Sequence, residues 1–250
     1  MSDLAKEILE NADISIEGIS EEGLKNIQLK FNDISKEWEQ LGIANDFIFC
    51  KIMQDKELLT ELVRMILPEV EFDDLEITAQ KSIEIGKDIH GVRFDIYVKS
   101  NDETVFEIEM QVLNQGNKYT FTNRCHEVDN LEMDDGTTKI VLNAVGTADD
   151  VHGSLKKFLD YVAGKPSDDE YVKKLEAAVY KARQNKEWRR EYMTLIMRDL
   201  ENQEIGIEKE QRRQIEKLMK KGKTAEEIVD FCDYPIELVE SVQESLWVTQ

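Results

Sequence analysis

Two neighbouring runs of strict polar–apolar alternation constrain this chain more than any other feature. They are Val92-Arg93-Phe94-Asp95-Ile96-Tyr97-Val98 and Val105 to Val112, with the turn signal Asn101-Asp102 between them. Alternation of period two marks strands with one buried face. The connection is too short for a crossover, so the two strands must pair antiparallel. A further alternating run, Leu75, Ile77 and Ala79, precedes them across the polar link Gly86 to Gly91. The sequence therefore predicts a three-stranded antiparallel meander.

Helical patterns flank this core. Residues 1 to about 40 read as a weakly patterned N-terminal helical segment. Phe47-Ile48-Phe49 and Leu58 to Leu67 read as a helix with Asp46 placed to cap it and Pro68 to end it. After the meander come the turn Asn114-Gln115-Gly116-Asn117, the strand-like Tyr119-Thr120-Phe121, the turn Asp134-Asp135-Gly136 and the strand-like Lys139-Ile140-Val141-Leu142. From Asp149 onward the pattern is helical, with an acidic cap at Ser167 to Glu170. Leu175, Val179, Trp188, Tyr192 and Leu195 fall at roughly helical spacing and read as core. The predicted class is α+β. Its expected parts are a helical segment over 1–40, a core over 41–165, a helical extension over 166–221 and a small tail over 222–250.

Charge and composition narrow the function. No stretch approaches the roughly 18 apolar residues of a membrane span, so no membrane partner is expected. The start, Met1-Ser2-Asp3-Leu4, lacks a basic-then-apolar leader, and Cys50, Cys125 and Cys232 are odd in number and never in a C-x-x-C pair. A cytoplasmic protein with reduced thiols is expected. The net charge of -21 argues against simple nucleic-acid binding, which draws on Lys and Arg. The charge is uneven, however. Lys181 to Lys223 holds 13 Lys and Arg against 8 Asp and Glu, a balance of +5, and leaves -26 on the remainder.

Within the meander, alternation decides which residues share a face. Val92, Phe94, Ile96 and Val98 fall on one side of their strand, and Arg93, Asp95, Tyr97 and Lys99 on the other. On the next strand Phe106, Ile108, Met110 and Val112 form the apolar set, and Glu107, Glu109 and Gln111 the polar one. Asp95 can therefore sit beside Glu107 or Glu109. Paired carboxylates repel unless neutralised. A divalent cation such as Mg²⁺ or Mn²⁺ would do this with carboxylate and water oxygens, and it could activate a water against a phosphate. A solvated polar sheet face explains the same alternation.

The segment Gly-Val-Arg-Phe-Asp-Ile-Tyr-Val (Gly91 to Val98), followed by Phe-Glu-Ile-Glu-Met-Gln (Phe106 to Gln111), resembles the paired signature of the Rpn-type recombination-promoting nucleases and putative transposases. Asn45 to Phe49, Tyr119 to Cys125, Lys139 to Thr147 and Glu187 to Met193 match the same family in order, over most of residues 45 to 200. The resemblance implies a PD-(D/E)xK restriction-endonuclease-like core, a helix plus an antiparallel meander. It also implies a Mg²⁺-dependent DNA endonuclease with Asp95 and Glu109 as metal ligands and Gln111 as the third motif residue. Gln111 stands where many relatives carry lysine, and it brings no positive charge. Asp46 matches the family's first-helix acid, though a capping role accounts for it better.

The family places a basic, tyrosine-bearing helix and then a strand after its E-x-Q motif. Here the turn Asn114 to Asn117 and the strand-like Tyr119 to Phe121 follow at once, so that helix and its strand read as deleted. A truncated crossover would leave Phe106, Ile108 and Met110 partly uncovered and favour homo-oligomerisation or loss of catalysis. The alternative to a weakened endonuclease acting on DNA is thus a non-catalytic protein-interaction remnant of the family. In the tail, Thr224-Ala225-Glu226-Glu227 forms a capping-box pattern, and the segment resembles a helix-turn-helix. Its second helix carries Glu237, Glu240 and Glu244 without a cation, which suits protein contact better than DNA. His90, His126 and His152 are too scattered for a metal triad.

Overall fold

Capping residues set the helix boundaries. In the computed structural model, which describes residues 3–12, 14, 15, 21–71, 95–99, 104–110, 116–125, 127, 128, 131–133 and 135–248, the Asn45 side chain accepts the Ile48 N–H and starts α3. Asp46, expected as the cap, is instead the first helical residue, because Asn45 already holds extended backbone angles. The apolar run from Phe47 to Leu67 is also not one helix. Asp55 accepts the N–H groups of Glu57 and Leu58 and opens a second helix, so the run divides into α3 (Asp46–Ile52) and α4 (Lys56–Ile66). Before them lie α1 (Asp3–Asn11) and α2 (Glu21–Gln40). After the sheet come α5 (Gly153–Val162), α6 (Glu170–Gln184, capped by Asp169), α7 (Lys186–Lys220), α8 (Ala225–Cys232) and α9 (Ile236–Val248). Among the described residues no helix is long and apolar enough to cross a membrane.

The strands are β1 (Asp95–Lys99), β2 (Val105–Met110), β3 (Lys118–Thr122) and β4 (Thr137–Leu142). Their spatial order is β1-β2-β4-β3. β1 and β2 pair antiparallel, as the short connection requires. The earlier run at Leu75 to Ala79 lies outside the described residues, as do Arg93, Phe94 and Gln111. β4 pairs parallel to β2, and β3 pairs antiparallel to β4 at the edge. The expected loss of the strand after the E-x-Q motif is therefore corrected: a strand does lie beside β2. The chain between β2 and β4 is long enough for a parallel return, and it carries β3.

One face of this sheet is apolar at its centre. Ile96, Ile108 and Ile140 are register partners across β1, β2 and β4, and all three are buried. Ile108 is fully buried, not partly uncovered, while Phe106 is half-buried.

The chain divides into two compact units, residues 29–193 and residues 1–28 with 194–250. The first holds the sheet. Its helical core is built round Trp38, Phe47 and Tyr192, whose rings meet in tilted or edge-on pairs with centroids 5.4–6.0 Å apart. The Trp38 indole N–H donates to the Arg183 carbonyl at 3.0 Å, and Arg183 Nε donates to the Leu41 carbonyl at 2.6 Å. The Tyr171 hydroxyl donates to the Leu58 carbonyl, tying α6 to α4. The Lys118 ammonium, at the start of β3, donates to the Ile66 carbonyl that ends α4. Burial there holds its pKa below the usual lysine value. The second unit has its own small core of Ile215, Ile228, Val239 and Val242, formed by α7, α8 and α9. The capping box at Thr224 and Glu227 is formed, and the left-handed Asp233 (φ 55°) turns the chain from α8 into α9.

Candidate functional site on the polar sheet face

Register assembles the site. Asp95 is the cross-strand partner of Glu109, and Tyr97 of Glu107. Paired positions of adjacent strands lie on one face. The parallel pairing then adds β4, with Glu107 opposite Lys139 and Glu109 opposite Val141. The antiparallel pairing adds β3, with Lys139 opposite Phe121 and Val141 opposite Tyr119. Two rows result across four strands: Asp95, Glu109, Val141 and Tyr119, and beside it Tyr97, Glu107, Lys139 and Phe121.

Glu109 is the unusual member. A glutamate on an exposed sheet face is normally solvated, yet this side chain is only 6% exposed. Its carboxylate is in direct contact with the Lys139 ammonium. Lys139 also lies 3.6 Å from a Glu107 carboxylate oxygen. The hydrogen bond to Glu109, reinforced by the negative charge of both carboxylates, holds the Lys139 pKa above the usual lysine value. Lys139 is therefore a permanent cation at neutral pH.

The ends of these strands are locked. At the beginning of β3, the Asn117 N–H donates to both carboxylate oxygens of Asp150, at 2.8 and 3.0 Å. The Asn117 side-chain amide donates to the carbonyls of Asn143 and Gly146, and the Asn143 side-chain amide donates to the Gly116 carbonyl at 3.0 Å. Asn117 and Asn143 are fully buried. Burial works against the charge on Asp150, but the backbone donors of Asn117 and Lys118 outweigh it and hold its carboxyl below the usual aspartate range. This network fixes β3 against β4, and so the position of Lys139 relative to Phe121.

The structure brings Asp95 and Glu109 together by register. It places Gln111 outside the described residues. Among the described residues no group of three or more His, Cys, Asp or Glu side chains forms a cage for a metal. The donor set of the face fits a hard divalent ion all the same, since Mg²⁺ takes one or two carboxylates and fills its remaining positions with water. Lys139 is the charged member of this face that sequence reasoning overlooked. Its signal was its place two residues before Val141 in an alternating strand, but that parity carries no information until β4 is known to lie beside β2. Cys50, Cys125 and Cys232 form no disulfide. His152 precedes α5, and His90 and His126 lie outside the described residues.

Compared with family models, with curated proteins and with solved structures, the chain matches none.

Proposed function

We propose that this chain is a divalent-metal-dependent DNA endonuclease of the transposase-associated Rpn type, on a PD-(D/E)xK-like core. Asp95 and Glu109 would be the metal ligands. The observation that carries this reading is the contact between Lys139 and the buried carboxylate of Glu109, beside the register partner Asp95. A nuclease of this kind needs a cation next to its paired carboxylates, because negative charge grows on the phosphate in the transition state. Gln111 cannot provide it. Lys139 does so from the adjacent parallel strand.

The chain's own residues have distinct parts in this reading. Asp95 and Glu109 would hold Mg²⁺ or Mn²⁺, which supplies Lewis acidity toward a phosphoryl oxygen and a more acidic bound water. Lys139 keeps its proton, because both neighbouring glutamates favour the charged form. It is therefore no general base at neutral pH. Its N–H donors orient a phosphate oxygen and balance its charge. Glu107, on the same strand as Glu109 and with a side chain 28% exposed, helps to position the Lys139 ammonium.

The same contact supports a second reading. Lys139 already neutralises Glu109, so the pair could serve as a fixed ion pair in a non-catalytic interaction protein. The net charge of -21 favours that reading over DNA binding. Nicking of supercoiled plasmid in Mg²⁺ or Mn²⁺ separates the two. The endonuclease reading expects nicking that Asp95→Ala and Lys139→Met each abolish, and Mn²⁺ calorimetry with binding that Glu109→Ala removes. A wild-type protein that neither nicks DNA nor binds Mn²⁺ would establish the second reading.

A further inference from the structure

The endonuclease reading leaves unused the two aromatic side chains that end both polar rows. Tyr119 and Phe121 stand on the edge strand β3, one step beyond Val141 and Lys139. Their rings are stacked, with centroids 6.3 Å apart and planes 22° from parallel. Phe121 is 49% exposed. Tyr119 stands two residues before it on the same face and is held in place: its hydroxyl accepts the Gly116 N–H at 2.7 Å, and a side chain at Gly116 would collide with the Tyr119 ring. Gly116 is in turn held by the Asn143 amide. Phe121 is thus open to solvent beside a ring that is fixed.

We propose that the Tyr119–Phe121 stack is a ledge for an unpaired base of a nucleic-acid strand whose phosphate is held at Lys139. This rests on the reading of the polar face as a phosphodiester site, and it names the substrate class as single-stranded or frayed nucleic acid. Two observations support it. Phe121 is the direct cross-strand partner of Lys139, so the two residues lie on one face with their backbones one strand spacing apart, about 4.8 Å. The stack also offers a flat π face, which any base can use without hydrogen-bond readout. A base inside a duplex has both faces covered and cannot use the ledge.

The test uses the full chain in EDTA at low salt, so that binding is read without hydrolysis. The probes are a short oligothymidylate carrying one 2-aminopurine and a blunt duplex of the same length. The ledge predicts preference for the single strand and quenching of the 2-aminopurine on binding. Phe121→Ala and Phe121→Leu should weaken single-strand binding roughly 5- to 150-fold, the range for one base–aromatic stack, and abolish the quenching. Phe121→Trp should retain both, which controls for folding. Unchanged single-strand affinity in Phe121→Ala overturns the proposal, and so does equal affinity for the two probes. A Phe121→Ala protein that merely changes from dimer to monomer in sedimentation would assign the rings to a second copy and also overturn it. Plasmid nicking by the wild type reads the hydrolytic proposal separately. Nicking without stacking refutes only the ledge, and stacking without nicking refutes only hydrolysis.

Discussion

Replacing Lys139 with methionine tests the centre of the site through stability, independent of any activity. The change keeps most of the aliphatic stem and removes the ammonium that touches Glu109 and lies 3.6 Å from Glu107. Breaking a fully buried ion pair from one side costs about 3–5 kcal/mol, because the remaining charge has no compensation. Glu109 meets that condition with a side chain 6% exposed, but Lys139 is 40% exposed and water screens part of its charge. The expected loss is therefore about 2 kcal/mol at pH 7. In a unit of this size that lowers the melting temperature by roughly 4–8 °C. The sign with pH is also determined. In the wild type the raised folded pKa of Lys139 makes its contribution present below the unfolded lysine value and lost as pH rises through the folded one. Urea unfolding followed by circular dichroism, at pH 7 and above the unfolded lysine value, about 10.4, measures both effects. A Lys139→Met protein as stable as wild type at pH 7 would refute the account of Glu109 as a buried carboxylate held by Lys139.

Other consequences are local. Gly146→Ala should destabilise the sheet unit by about 3 kcal/mol, since a Cβ there would overlap the Gly116 carbonyl oxygen and sit 2.7 Å from Asn117 Nδ2; a thermal melt equal to wild type would contradict this packing. Asp150→Ala should cost about 1 kcal/mol at pH 7 by freeing the N–H groups of Asn117 and Lys118, less than a buried bond because Asp150 is solvent-exposed. The depressed pKa of Asp150 means that this difference is present above the unfolded aspartate value, near 3.9, and fades as pH falls through the folded one, which chemical denaturation across that range would follow. Thr224→Ala should lower the stability of α8 by about 1 kcal/mol through loss of the capping box, read as faster amide exchange at Glu227 and Ile228; unchanged exchange would show that the cap contributes nothing.

Much of the secondary structure was legible because it is written locally. Alternation located β1 and β2, and the short connection between them required an antiparallel pair, so Asp95 was placed on one face with Glu107 and Glu109, and the register then set it opposite Glu109. Thr224 and Asp169 announced their helices by type and position. Local pattern failed where two residues competed for one role. Asn45 and Asp46 are both good caps, and the backbone angles that chose Asn45 are not encoded in either side chain. The break at Asp55 was hidden for a similar reason, since apolar residues on both sides continue the pattern across it.

The amino-acid sequence by itself determined the class, the two carboxylate strands and the negative charge. Tertiary structure alone decided that β4 enters the sheet beside β2 and not beyond β3. That one pairing brings Lys139 to Glu109 and sets Phe121 next to Lys139. The reason is physical. Antiparallel neighbours joined by a short turn have one available partner, so their register is readable. A parallel strand returning over a long excursion has several, and the choice among them rests on which arrangement buries Ile96, Ile108 and Ile140 in one row while giving the buried Glu109 a cation.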